Sequence, residues 1–89
     1  MIYPFMTLHD KTEVVHSEMR QDGTVKVIME KPIYLGFKSV ECILPDYIWQ
    51  KNEGFTEAEL AYLDEYVHSV AHIILELAKV GGFDNASSF

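Results

Sequence analysis

The chain has one cysteine, Cys42, so it can close no internal disulfide and its core must hold without a covalent staple. That usage suits a reducing compartment, and a cytoplasmic location is expected. Positive charge is scarce. Seven Lys and Arg stand against fourteen Asp and Glu, giving a formal charge of −7. A surface of that sign repels phosphate backbones and anionic lipid, so neither direct nucleic-acid binding nor membrane association is expected. No segment approaches the roughly 18 consecutive apolar residues of a membrane span, and the opening "MIYPFMTLHD" has no basic region leading into an apolar run. The G-x-S-x-G nucleophile elbow is missing, and the paired glycines at 81 and 82 follow a helix rather than open one, so they build no phosphate cradle. Internal repeats and low-complexity runs are also absent.

What remains is the composition of a small folded domain, with 48% apolar and 24% charged residues in a chain of 89. One domain over residues 1–82 is expected, with 83–89 as a flexible tail. "MIYPFMTL", the polar "HDKT" and "TEVVHSEM" read as a β-hairpin. Asp22-Gly23 marks the next turn, because glycine supplies the positive φ a tight hairpin needs. Residues 24–31 then form a third strand ending at Pro32. Val25, Val27 and Met29 share one face, Lys26 and Glu30 lie opposite, and Ile28 breaks the polar outer face. After a loop around Gly36, "FKSVECIL" makes a fourth strand with Val40, Cys42 and Leu44 inward, stopped by Pro45. "PDYIWQKNEGF" is expected as an aromatic-rich linker over the sheet edge.

The second half is helical. In "FTEAEL", Thr56 caps the helix while Glu59 returns to the cap amide, and Glu57 adds negative charge at the positive end of the dipole. Lys79 and Gly81-Gly82 end it. Residues 56–80 would form a rod of about 37 Å. The expected class is therefore α+β: a four-stranded, mostly antiparallel meander packed on one face by a single long C-terminal helix. Stepping about 100° per residue places Leu60, Leu63, Tyr66, Val67, Val70, Ala71, Ile74, Leu77 and Ala78 on the core stripe, with Tyr62 and Ile73 at its margin. Asp64, Glu65, His68, His72, Glu76 and Lys79 fall on the opposite arc.

Two histidines four apart on a helix can share a metal, which makes His68 and His72 a candidate pair. Three or four ligands from one straight helix surround an ion poorly, so the favoured expectation is a solvated polar face with Asp64–His68 and His72–Glu76 pairs, and no cofactor. Cys42, on the apolar side of its strand, is expected to be buried and inert. Ser17, His16 and Asp10 supply the letters of a hydrolytic triad without its motif. The linker residues Tyr47, Trp49, Glu53 and Phe55 either form a docking surface or close the end of the core, since aromatics that keep one polar atom are enriched at interface hot spots.

"YPFMTL", "TEVVHS", "EKP", "GF", "LPDYIW", "EGF", "AH" and the closing "GG" resemble an uncharacterised family of small proteins of Gram-positive bacteria, met in gut species and near mobile elements. The resemblance spans residues 3–82 and implies a compact bacterial domain without supplying a catalytic residue. His16 and His72 stand where that family carries histidine, and Asp10-Lys11 replaces its Asp-Gly, removing the glycine expected at the first hairpin. "GF", "ECILPDY" and "GFTEAEL" are more weakly similar to HicB-like antitoxins, in which a strand, a Leu-Pro turn and a Glu-rich helix follow one another.

The expected function is a non-catalytic acidic protein-interaction domain, antitoxin-like or inhibiting a basic partner. It would act through the helix face at Glu65, His72 and Glu76 or through the Tyr47, Trp49, Glu53 and Phe55 linker. The competing expectation is a metal- or small-ligand-binding protein using His68 and His72. A third expectation is self-association as a structural homo-oligomer, in which an exposed sheet face or edge pairs with its twin.

Overall fold

The computed structural model of the protein describes residues 1–81, and the expected tail at 83–89 lies outside them. Five strands precede one helix: β1 (Ile2–Thr7), β2 (Glu13–Ser17), β3 (Val25–Ile33), β4 (Gly36–Leu44), β5 (Ile48–Glu53) and α1 (Glu57–Val80). The strands form one antiparallel sheet in the order β1-β2-β3-β4-β5, so the α+β meander is present with one strand more than expected.

The fifth strand comes from the segment expected to be a linker. Pro45 ends β4, but only three residues separate β4 from β5, and Tyr47 reverses the chain there with φ +56°. β5 then pairs Ile48 with Ile43, Trp49 with Cys42 and Gln50 with Glu41. A register shift before Glu53↔Ser39 inserts an extra residue, with Lys51 at φ +54°. That bulge breaks the two-residue alternation by which a strand is recognised.

Alternation elsewhere sorts the sheet into two faces. Val14, Val25, Val27, Met29, Val40, Cys42 and Leu44 are buried with Leu63, Val67, Ala71, Ile74, Leu77 and Ala78 of α1 in one cluster. Each large aliphatic side chain so removed from water contributes roughly 1.5–3 kcal/mol. The helix stripe agrees with the 3.6-residue period. Leu60, Tyr66, Val70 and Leu75 pack at its borders, while Tyr62 and Ile73 face solvent.

Local chemistry fixes the connections. Lys11 takes φ +73° in the first hairpin, so the turn forms without the glycine, closed by Leu8 N–H to the Thr12 carbonyl at 2.8 Å. Gly23 has φ +82°, and Asp22 accepts from the Thr24 amide at 3.0 Å. Strand β3 runs through Pro32 to Ile33, past its expected end. Its ladder with β2 stops at Glu30↔Glu13, leaving one side of β3 without a neighbouring strand among the described residues, the setting in which a missing N–H is tolerated. β3 and β4 therefore continue beyond the rest of the sheet and turn through Tyr34 and Leu35.

The helix begins as its sequence requires. Thr56 Oγ accepts from the Glu59 amide at 3.2 Å, and the Glu59 carboxylate accepts from the Thr56 amide at 2.9 Å. At the other end Gly81 has φ +86° and donates to the Leu77 carbonyl. The Met19 amide reaches the Ala78 carbonyl at 3.3 Å, tying the β2–β3 connection to the last turn.

Candidate interaction surface

Both helix histidines are exposed, but His68 packs against the edge of the sheet rather than looking away from it. The ring of His68 lies 3.7 Å from that of Tyr47 at an interplanar angle of 4°. Its Nδ1 donates to the Asp64 carbonyl at 2.8 Å and lies 3.5 Å from the Asp64 carboxylate. Asp64 also accepts from the Trp49 indole at 3.1 Å. Tyr47, Trp49, Asp64 and His68 thus form one stacked, hydrogen-bonded group that pins the start of β5 to the helix. His72 is exposed one turn further on. Among the described residues no group of three or more His, Cys, Asp or Glu is placed to hold a metal ion.

The linker residues divide. Phe55 is buried and belongs to the core, so it is not presented to a partner. Tyr47 and Trp49 are half-buried against the same core, and Glu53 is exposed. On the helix, Glu65, His72 and Glu76 are exposed, with Glu76 3.4 Å from Lys79.

Burial pushes the Cys42 thiol up to about 12, with the Asp64 charge adding to the effect, so the sulfur stays protonated. The triad letters do not meet. His16 is fully buried between Tyr3 and Phe5, its Nδ1 donating to the Ser17 carbonyl at 2.8 Å, while its Nε2 has no hydrogen-bond partner among the described residues. Asp10 accepts from the Thr12 amide at 3.0 Å and sits 3.6 Å from Lys31. Ser17 donates to the Glu18 carbonyl at 2.8 Å.

The most exposed apolar surface lies where sequence reasoning expected a plain loop. At the β3–β4 turn, Tyr34 is 91% and Leu35 89% exposed, flanked by Ile33 at 46% and Phe37 at 68%. Leu35 has φ +63°. Behind this tip Lys31 and Lys38 stand opposite each other across the strands, a like-charge pairing that destabilises a sheet. Each is met by a separate acid: Lys31 by Asp10, and Lys38 by Glu59 at 2.9 Å. The tip is apolar and its neighbouring lysines are already paired. A signal did exist in "KPIYLGFK", where four large apolar residues crowd a hairpin turn that ordinarily takes polar ones.

No helix among the described residues is long and apolar enough to cross a membrane. Comparison of the chain with protein-family models, with curated proteins and with solved structures finds no match.

Proposed function

We propose that the protein is a non-catalytic acidic interaction domain that docks a protein partner through the β3–β4 hairpin, in the manner of an antitoxin or of an inhibitor of a basic protein. One observation carries this: Ile33, Tyr34, Leu35 and Phe37 are exposed together on a projecting turn. Scattered apolar side chains on a surface are ordinary, but a contiguous group on a protruding element is a feature of binding sites. Tyrosine suits such a site, having large contact area, few rotors and a polar end. The buried Cys42 thiol and the separation of Ser17, His16 and Asp10 favour the non-catalytic reading.

The test is cross-linking from host lysate with the wild-type chain and with Y34S/F37S. Both positions are exposed, so the variant keeps its core and its melting temperature. A partner captured by the wild type is lost in the variant. Undiminished capture rejects the hairpin as the docking element, and charge reversal at Glu65 and Glu76 then examines the helix face.

A further inference from the structure

The helix covers one face of the sheet, and no described residue covers the other. Taking the ladders row by row, Pro4, Val15 and Ile28 lie side by side on that outer face, with Ile43 and Ile48 in the adjoining row. Ile48 is 52% exposed, while Val15, Ile28 and Ile43 are half-buried. Toward the hairpin the next row is Glu13, Glu30, Ser39 and Glu53, contributed by four adjacent strands. Beyond it Phe37, opposite Pro32, carries the face into the hairpin tip. Glu41 and Gln50 complete the Val15–Ile28 row and Lys26 stands beside Ile43 in the next, so the outer face is mixed there, then acidic, then apolar at Phe37.

The acidic row has an unusual balance. Glu13 stands directly opposite Glu30, a pairing that destabilises a sheet, and all three glutamates are exposed. Among the described residues none of the three has an ion pair or hydrogen bond from its side chain. Lys26 on the same face is not available to them, being 3.9 Å from Glu41, which also accepts from Gln50 at 2.9 Å. On the helix Asp64, Glu59 and Glu76 each have a partner, while Glu57 and Glu65 have none among the described residues. Two shallow grooves lie along the β1–β2 side of the sheet, one of about 460 Å³ lined by Phe5 and Val14 as well as Pro4, Glu13 and Val15, the other of about 220 Å³ beside Ile2, Arg20, Lys26 and Ile28.

We infer that this outer face is the seat of a basic, partly apolar protein segment, whose Lys or Arg side chains meet Glu13, Glu30 and Glu53 while its apolar side chains lie over Val15, Ile28 and Phe37. The inference rests on the interaction-domain reading above and names the chemistry of the partner. Charge selects the occupant. A second copy would bring a net charge of −7 and the same glutamate row against this one. Residues 82–89 hold one charged side chain, Asp84, of the wrong sign.

A blocked peptide of alternating Lys and Leu is the probe, titrated into isotope-labelled protein while amide resonances are followed. Saturable shifts are expected at Glu13, Glu30, Ser39, Glu53 and Phe37. Binding weakens about tenfold in E13Q/E30Q/E53Q, the combined effect of three exposed ion pairs, and its salt dependence flattens. A Lys/Ser peptide of equal charge binds more weakly. Shifts centred on Glu57, Glu65 and Glu76 overturn the assignment, as do equal binding of the Lys/Ser peptide or a low-salt dimer whose interface maps to this face. The substituted glutamates are exposed and unpaired, so the variant folds. The titration needs no cellular partner, so its failure is separate from that of the capture experiment with Y34S/F37S.

Discussion

Leucine in the left-handed region costs about 1–2 kcal/mol relative to a residue with no Cβ, and Leu35 takes that conformation with 89% of its surface in water. Neither packing nor backbone geometry asks for leucine there. Leu35→Gly is therefore expected to stabilise the fold by roughly 0.5–1 kcal/mol in urea unfolding, since relief of strain outweighs the extra freedom of the unfolded chain. The same substitution should weaken partner capture. A variant that is less stable would mean the side chain has packing the exposed turn does not suggest. Cys42 presents the reverse case, a residue whose role was legible from its neighbours. With its thiol held near 12 and its side chain sealed in the core, labelling by a disulfide reagent at pH 8 should proceed only through opening of the structure. Its rate should rise with urea, and fast labelling of native protein would contradict the burial. Apolar letters in an alternating strand imply burial, whereas the exposure of Tyr34 and Leu35 follows from β3 and β4 outrunning their neighbours, a property of four strands together.

At the scale of elements, the helix was legible and the edge strand was not. The helix declares itself through a period sustained over six turns, a capping box and a terminal glycine, all local in the chain. β5 is six residues long, carries Lys51, Asn52 and Glu53 at its end and holds a bulge. Its pairing with β4 supplies what its own pattern lacks. One residue joins the hairpin to the helix start: Glu59 accepts from the Thr56 amide and grips Lys38 Nζ with both oxygens, at 2.9 and 3.0 Å. The Thr56 backbone hydrogen bond, then the Lys38 hydrogen bond, hold its carboxyl below the ordinary glutamate range. A carboxyl lowered in the folded state stabilises the fold above its unfolded value, and that stability is lost as pH falls through the folded one. Glu59→Gln should accordingly cost on the order of 1 kcal/mol at neutral pH, and the gap to wild type should close as pH drops below about 4. A gap independent of pH would show that the cap geometry, and not the charge, is what Glu59 supplies.

For the whole molecule, about 39 × 24 × 21 Å, two features oppose association of like copies. The sheet edges are guarded: β1 carries Pro4 and a bulge between Pro4 and Met6, and β5 carries the bulge at Lys51, so neither offers a long regular ladder to a neighbour. The net charge of −7 adds mutual repulsion whose reach depends on salt. Against these stand the exposed hairpin tip and the apolar residues of the outer face, which attract at contact and do not weaken when charge is screened. The balance should therefore turn on ionic strength. At about 10 mM salt, where the screening length is about 30 Å, repulsion acts across the whole molecule and sedimentation should show a monomer. At about 1 M salt the screening length falls to about 3 Å, and weak concentration-dependent association should appear. If the tip supplies the contact, Y34S/F37S stays monomeric under both conditions. A dimer already stable at low salt would mean that an edge or face pairs well enough to overcome the charge, and the acidic row would then be a feature of a homo-oligomer rather than a seat for a basic partner.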